Sequence, residues 1–182
     1  MSSVQSNPAS KIFLVGMPGC GKSTVGKVLA QELGYHFLDL DTLIEEQEKQ
    51  TVPQVFEQQG QAYFRQAEAK ALRLAAARPE NLVLATGGGA PCFCENMDFM
   101  VSHGKPIYLR LSPENLVDRL SSQDLQARPL LRDKSSAELL RYLSETLRER
   151  EVFYKKASLV VPAAEGSVAD VAQAIVQLLL AP

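Results

Sequence analysis

The stretch that decides the fold of this chain reads Gly16-Met17-Pro18-Gly19-Cys20-Gly21-Lys22-Ser23-Thr24. It matches the phosphate-loop pattern, in which a glycine and four further residues are followed by Gly-Lys and then Ser or Thr. Glycines allow successive backbone N–H groups to turn inward and form a nest that binds anions. The pattern therefore predicts a nucleotide-phosphate site, in which Lys22 reaches the β and γ phosphates and the Ser23 hydroxyl binds Mg²⁺.

The residues on either side of this loop have the structure that the motif requires. Residues 11–15 form a short apolar run typical of a strand, and residues 22–33 are predicted to form a helix that ends at Gly34. The N-terminus of that helix favours phosphate through its free N–H groups and its dipole. The order of strand, glycine loop and helix disfavours the alternative of an ordinary glycine-rich turn.

The length and composition exclude several classes of protein. The 182 residues are enough for one domain with a sizeable core, and a net charge of −2 gives no sign of a nucleic-acid surface. No apolar run reaches the roughly 18 residues of a membrane span, and the first ten residues do not resemble a signal peptide. Three cysteines and two histidines favour neither a disulfide framework nor a zinc site. We expect a cytoplasmic monomer that binds neither nucleic acid nor a membrane.

Strand-like and helix-like segments alternate along the whole chain, without a repeat or a linker. After a flexible tail at residues 1–10, one domain is expected over residues 11–182. Strands are predicted at 11–16, 35–39, 81–86, 106–111 and 157–161. This alternation predicts an α/β fold with three α/β/α layers, in which helices cover both faces of a five-stranded parallel sheet. Ligands of such folds bind at the carboxyl ends of the strands.

Helix boundaries are indicated by capping residues and by proline. Thr51-Val52-Pro53 opens a long helix that Gly60 interrupts, and Ser112-Pro113-Glu114 opens a shorter one. Capping boxes predict helices from Ser135 and from Ser167. The predicted helices therefore cover residues 22–33, 42–46, 52–77, 91–102, 113–122, 136–154 and 168–180.

Several polar residues follow the predicted strands, and their types alone leave their roles open. Asp39 is suited to assist Mg²⁺ near Ser23, with Asp41 leaning toward a phosphoryl acceptor. The alternative is that Asp41 only caps a helix and Asp39 is solvated. Arg65 and Glu68 are three residues apart and could form an ordinary surface ion pair.

Two further features are equally open when each is considered alone. Residues 87–89 are three successive glycines, which form either a flexible turn or a place where backbone approaches a ligand closely. Arg148 and Arg150 lie on a predicted helix and could be no more than a charged face. Arg128 belongs to a polar, basic segment, residues 122–134, that lacks apolar periodicity.

Taken together, six motifs resemble the shikimate kinase family: GMPGCGKST, FLDLD, FRQAE, TGGGA, RPLL and ERxxxY. The resemblance runs from Lys11 to the last strand, and the combination of FRxxE, TGGG and RPLL is far more specific than the phosphate loop. Gln61 and Val152 depart from the family, which often has Glu and Pro there, and residues 162–166 match weakly. The resemblance implies a phosphate-loop kinase with ATP as co-substrate and Mg²⁺ as cofactor.

The resemblance also implies roles for residues on the nucleotide side. The ATP phosphates would be bound by Gly19, Cys20, Gly21, Lys22, Ser23 and Thr24. Ser23 and Asp39 would hold Mg²⁺, with Asp39 acting through water. Arg119 would stack on adenine, and Arg128 would reach the phosphates from a mobile lid at residues 122–134.

On the acceptor side, the resemblance implies a substrate-binding segment at residues 41–70. Asp41 would bind the reacting hydroxyl, Arg65 and Arg150 would clamp the substrate carboxylate, and the backbone of Gly87 and Gly88 would contact the substrate. Lys22, Asp41 and Arg128 would be the catalytic residues.

The implied reaction is the ATP-dependent phosphorylation of the 3-hydroxyl of shikimate, which gives shikimate 3-phosphate and ADP in aromatic amino acid biosynthesis. The alternatives are another small-molecule kinase of this architecture, acting on gluconate or a nucleoside monophosphate, and a nucleotide-binding module that catalyses nothing.

Overall fold

A single parallel sheet forms the centre of the protein. A computed structural model describes residues 10–120, 134–164 and 166–181. Its five strands lie in the order β2-β3-β1-β4-β5, and every neighbouring pair is parallel. Their bounds are close to those predicted: β1 Lys11–Val15, β2 His36–Asp39, β3 Leu82–Ala85, β4 Lys105–Arg110 and β5 Leu159–Pro162. The predicted five-stranded parallel sheet is therefore confirmed.

Helices alternate with these strands along the chain. Within the described ranges they are α1 Lys22–Leu33, α2 Leu40–Glu48, α3 Val52–Ala76, a 3₁₀ turn at Ala90–Cys92, α4 Asn96–His103, α5 Pro113–Arg119, α6 Ser136–Tyr154 and α7 Val168–Leu180. None of these helices has the length and apolar composition needed to cross a membrane.

Helices pack on both faces of the sheet and thereby bury the central strand on both sides. Every residue of β1 is buried. Gly26 of α1 lies against Leu14, so α1 covers the face to which Leu14 points. Tyr154 of α6 packs on Tyr108 of β4, which is paired in register with Val15. Since neighbouring residues of a strand face opposite ways, α6 covers the other face.

Two local predictions, one for α3 and one for the helix after β3, have different outcomes. The predicted interruption of α3 is confirmed, because Gly60 has φ 82° and ψ 173° within it. The helix predicted over residues 91–102 is confirmed over residues 96–102 and wrong before them. Its first part is the short 3₁₀ turn, followed by Cys94 and Glu95 at positive φ, and α4 begins only at Asn96.

Contacts distant in sequence explain this difference. The Arg73 guanidinium donates to the Cys94 carbonyl at 3.1 Å and to Asn96 Oδ1 at 2.8 Å. The Asn96 amide in turn donates to the Ala90 carbonyl at 3.0 Å. Because these side chains bind backbone carbonyls that a continuous helix would use, tertiary structure overrides the local helical preference.

The capping box at Ser135 gives a first testable prediction. Ser135 Oγ accepts the Glu138 N–H, and a Glu138 carboxylate oxygen accepts the Ser135 N–H at 2.8 Å. Ser135→Ala should lower the free energy of unfolding by about 1 kcal/mol, because a donor at the start of α6 loses its partner. Urea denaturation measures this. The control is Ser136→Ala, one residue into the helix, and equal losses in both variants would contradict the capping role.

Candidate active site

The phosphate loop, defined as residues 16–24, joins the end of β1 to the start of α1. Gly19 and Gly21 have φ values of 84° and 97°, in the left-handed region that glycine adopts without strain. Gly21 is the N-cap of α1, so the first N–H groups of the helix meet the loop. Cys20 is fully buried beneath the loop, whereas Thr24 is exposed on the first turn of α1. This geometry forms the anion-binding nest predicted from the sequence.

The Lys22 ammonium lies within the curve of this loop. Nζ donates to the carbonyls of Gly16 and Met17, each at 2.9 Å, and lies 3.8 Å from Cys20 Sγ. The residue is only 8% exposed, so its charge is largely enclosed by the loop. A phosphate bound in the loop would therefore meet a cation held by neutral carbonyls.

Ser23 and Asp39 bring two oxygen ligands together beside the loop. Ser23 Oγ donates to Asp39 Oδ2 at 2.5 Å. The other carboxylate oxygen of Asp39 accepts the Asp41 N–H at 3.0 Å and caps α2. The alternative in which Asp41 is the N-cap is therefore wrong. Since one oxygen is fixed by the cap, the other points toward Ser23.

This pair of oxygens fits Mg²⁺. Magnesium prefers oxygen ligands and is usually held by one or two protein groups, with waters and substrate phosphates completing its shell. Within residues 10–120, 134–164 and 166–181, no group of three or more His, Cys, Asp or Glu side chains is arranged to hold a metal. The donor set at Ser23 and Asp39 thus suits a metal that arrives with nucleotide phosphates.

Asp41 lies on the first turn of α2, beside the glycine turn, defined as residues 87–89. A Cβ atom placed on Gly87 would lie 3.4 Å from Asp41 Oδ1 and 2.9 Å from Glu68 Oε1. Two carboxylates therefore border this turn, and Asp41 is the exposed one. Glycine at position 87 leaves room for both.

Arg65 and Glu68 form a buried pair rather than the ordinary surface pair considered from the sequence. Arg65 Nη1 lies 2.7 Å from Glu68 Oε2, and the side chains are only 14% and 1% exposed. Burial raises the pKa of the Glu68 carboxyl, and the adjacent Arg65 charge acts in the opposite direction. Removal of either partner would leave the other charge uncompensated away from water.

Aromatic rings enclose the Arg65 guanidinium. Its central carbon lies 4.3 Å from the Phe93 ring centroid, 5.1 Å from that of Phe64 and 5.9 Å from that of Phe56. In the part of the chain that the structure describes, its buried Nε has no hydrogen-bond partner. A Cβ on Gly89 would lie 2.7 Å from Nη2, so the guanidinium directly adjoins the glycine turn. An unused, buried donor at this place suits an acceptor oxygen of a ligand.

Arg150 of α6 lies near the same point as Arg65. Burial raises the pKa of the Cys92 thiol, and the charges of Arg150 and Arg65 both oppose that rise. Arg150 also acts on the Glu68 carboxyl. Arg150 is half-buried, whereas Arg148 on the same helix is exposed. Arg65 and Arg150, the two arginines predicted to share a substrate carboxylate, therefore both act on the same two side chains, Glu68 and Cys92.

Gly88 is the residue at which the glycine turn packs against the phosphate loop. A Cβ at this position would lie 2.6 Å from Pro18 Cδ, so only glycine fits. The Tyr154 hydroxyl donates to the Gly88 carbonyl at 2.5 Å and lies 3.8 Å from Met17 Sδ. Sequence reasoning gave Tyr154 no role, although the ERxxxY spacing places it one helical turn after Arg150.

Arg119 lies on the β4–β5 side of the phosphate loop, whereas the glycine turn lies on its β3 side. Its Nη2 donates to the Ala163 carbonyl at 2.5 Å, within the segment after β5 that matched the family weakly. The neighbouring Leu120 packs close to Gly19, since a Cβ there would be 3.0 Å from Leu120 Cδ2. The predicted lid, residues 122–134 with Arg128, lies outside the described residues apart from its last residue.

Comparison with known proteins identifies the family. The protein-family model for shikimate kinase matches residues 18–180. A shikimate kinase from Parabacteroides distasonis is 40% identical over 173 residues, which cover 93% of this chain and 99% of that protein.

Solved structures give the same result. The structure of a shikimate kinase from Bacteroides thetaiotaomicron superposes with a TM-score of 0.87 at 39% identity, covering 93% of this chain and 98% of that one. A shikimate kinase from Acinetobacter baumannii in complex with shikimate gives 0.86 at 36% identity, with coverages of 94% and 93%. On sequence and on structure alike, this chain belongs to the shikimate kinase family.

Proposed function

We propose that this protein transfers the γ-phosphoryl group of ATP to the 3-hydroxyl of shikimate, giving shikimate 3-phosphate and ADP. The observation that carries the proposal is that Asp41 and Arg65 adjoin the glycine turn, which packs against the phosphate loop, while Arg150 acts electrostatically on Glu68 and Cys92 near Arg65. A hydroxyl acceptor with a carboxylate of its own matches these three groups. A module that only binds nucleotide has no use for them.

On the nucleotide side, residues 19–24 bind the phosphates through backbone N–H groups, and Lys22 supplies the positive charge. Its two present acceptors are neutral carbonyls, and anionic phosphate oxygens would bind the ammonium more strongly because they add the attraction between opposite charges. Arg119, held at the Ala163 carbonyl, is placed to stack on adenine. Cys20 and Thr24 contribute backbone groups of the loop.

Ser23 and Asp39 are the residues that would hold Mg²⁺ beside the phosphate loop. A magnesium ion at this place would supply positive charge to the phosphates. The hydrogen bond to Asp41 N–H fixes the Asp39 carboxylate, so this ligand needs little reorganisation.

The acceptor hydroxyl is oriented by Asp41. Its carboxylate accepts the hydroxyl proton as the oxygen attacks the γ-phosphorus, and the bond to the ADP oxygen breaks. Most of the rate enhancement then comes from alignment and from charge stabilisation, as in other phosphoryl transfers.

Arg65 and Arg150 bind the shikimate carboxylate. Guanidinium groups donate in a planar fork that matches a carboxylate, and the buried Nε of Arg65 is one such donor. Glu68 and the surrounding rings hold Arg65 in place before the substrate arrives. The backbone of Gly87 and Gly88 lines the same space.

Three features stay predictions from the sequence. They are the role of Arg128 as a further cation on the transferring group, the cytoplasmic location and the monomeric state.

An ADP-release assay tests the proposal against its alternatives. Purified protein is supplied with ATP, Mg²⁺ and, in parallel, shikimate, gluconate and a set of nucleoside monophosphates. ADP release should depend on shikimate, and mass spectrometry should find shikimate 3-phosphate. Turnover with gluconate or a nucleoside monophosphate, and none with shikimate, would overturn the assignment.

Lys22→Met tests the nucleotide side. The variant loses the charge that meets the β and γ phosphates, so kcat should fall by about a hundredfold or more. The unfolding midpoint should remain near that of the wild type. The matched control is Lys27→Met, a change to an exposed lysine further along α1. Turnover at the wild-type level in folded Lys22→Met would count against the role of Lys22.

Arg150→Ala tests the acceptor side. Loss of a charge-assisted hydrogen bond should weaken shikimate binding roughly ten- to a hundredfold and leave ATP binding nearly unchanged. Isothermal calorimetry with each ligand measures both affinities. Arg65→Lys should behave similarly, because lysine keeps a charge for Glu68 but not the planar fork.

Arg148→Ala is the control for this pair, since Arg148 is exposed on the same helix. It should bind both ligands as the wild type does. If Arg150→Ala and Arg65→Lys weakened ATP binding as much as shikimate binding, these arginines would belong to the nucleotide side.

A further inference from the structure

Tyr154, the last residue of α6, has no part in the binding roles described so far. We propose that it is a positioning residue, which holds the glycine turn against the phosphate loop and thereby aligns the acceptor with the nucleotide. This inference rests on the proposed function, because it concerns the placement of shikimate.

The Tyr154 side chain is fully buried, and its hydroxyl donates a hydrogen bond to the glycine turn. The side chain is 0% exposed, and its hydroxyl donates to the Gly88 carbonyl at 2.5 Å. Burial raises the pKa of this phenol well above its usual range, and the positive charge of Arg150 offsets only part of the rise. The proton therefore stays on the oxygen at any pH at which the enzyme would work. A phenol has one proton to donate, and this hydroxyl donates it to the Gly88 carbonyl.

This hydrogen bond fixes the orientation of a peptide group within the site. The Gly88 carbonyl and the Gly89 N–H belong to one planar trans peptide, so they point in opposite directions. Glycine has no side chain to restrain such a peptide. Pro18 blocks the turn on one side, where a Cβ of residue 88 would lie only 2.6 Å from its Cδ. The Tyr154 hydroxyl supplies the restraint that the glycine sequence lacks.

The same side chain contacts both the glycine turn and the phosphate loop. Its hydroxyl lies 3.8 Å from Met17 Sδ in the phosphate loop. Arg150, proposed to bind the substrate carboxylate, is one helical turn earlier in α6 and acts on the Tyr154 phenol. Removing the hydroxyl therefore frees the glycine turn at the point where loop, turn and α6 meet.

Tyr108 offers a matched control in the same core. Its ring lies 5.1 Å from the ring of Tyr154, centroid to centroid, and the residue is 1% exposed. Considering only the described residues, its hydroxyl has no hydrogen-bond partner. Tyr108→Phe thus removes the same atom from the same environment without removing a hydrogen bond to the site.

The test compares Tyr154→Phe with Tyr108→Phe. Steady-state kinetics give kcat and both KM values, calorimetry gives the Kd for shikimate, and thermal denaturation gives the midpoint of unfolding. Tyr154→Phe should raise the KM and Kd for shikimate about three- to tenfold, the range expected for one neutral hydrogen bond. The KM for ATP should change less than twofold. Tyr108→Phe should leave all three constants unchanged.

A purely structural role would give a different result. Tyr154→Phe would then lower the unfolding midpoint and the amount of active enzyme, with both KM values and the Kd unchanged, and the proposal would be overturned. It would be overturned equally if Tyr108→Phe had the same effect on shikimate binding.

If Tyr154→Phe is unstable at the assay temperature, the constants are measured near 10 °C with saturating nucleotide, which stabilises the fold by mass action. A chain still unfolded under these conditions would show a structural role and would also overturn the proposal. Wild-type protein without shikimate turnover, in contrast, would contradict the proposed function itself.

Discussion

The contact between Gly88 and Pro18 determines how close the two halves of the site can come. β1 and β3 are neighbours in register, and Thr86 is bound to the Leu14 carbonyl through both its N–H and its hydroxyl, at 3.1 and 2.9 Å. The segments that follow these strands therefore start side by side. Because residue 88 has no side chain, the glycine turn can then lie directly on the phosphate loop. Phosphoryl transfer needs this proximity, since the reacting atoms must be held nearly in contact.

Charged groups near this contact are fixed by partners that leave their functional atoms available. Asp39 caps α2 with one oxygen and meets Ser23 with the other. Arg65 pairs with Glu68 through Nη1, while its Nε has no partner among the residues that the structure describes. Burying such charges costs free energy, and complete removal of one partner would leave the other uncompensated. The benefit is a rigid arrangement that needs little reorganisation when ligands bind.

The sequence predicted those features whose cause is local. The phosphate loop, the five strands, the break at Gly60 and the capping boxes at Ser135 and Ser167 all follow from residues within one short segment. Features that depend on distant contacts were predicted less well. The first part of the helix expected over residues 91–102 is replaced by a turn that binds Arg73, and the cap of α2 is Asp39 rather than Asp41.

The same distinction holds within the site. Arg65 and Arg150 were assigned from motifs, and in the structure the charges of both act on Glu68 and Cys92. Burial of the Arg65–Glu68 pair could not be predicted from the spacing of the two residues, because rings from separate segments enclose it. Tyr154 was visible only as the last residue of a motif. Its contact with Gly88 joins residues 66 positions apart, and no local pattern indicates it.

Measurement of kcat/KM for shikimate in Gly88→Ala tests this account most directly. The added methyl group would lie 2.6 Å from Pro18 Cδ, so the glycine turn must move away from the phosphate loop. The account predicts that kcat/KM falls about five- to a hundredfold, since strain of this kind typically costs about 1–3 kcal/mol. A folded Gly88→Ala protein with the kcat/KM of the wild type would show that close packing of turn and loop is not required, and would contradict the account.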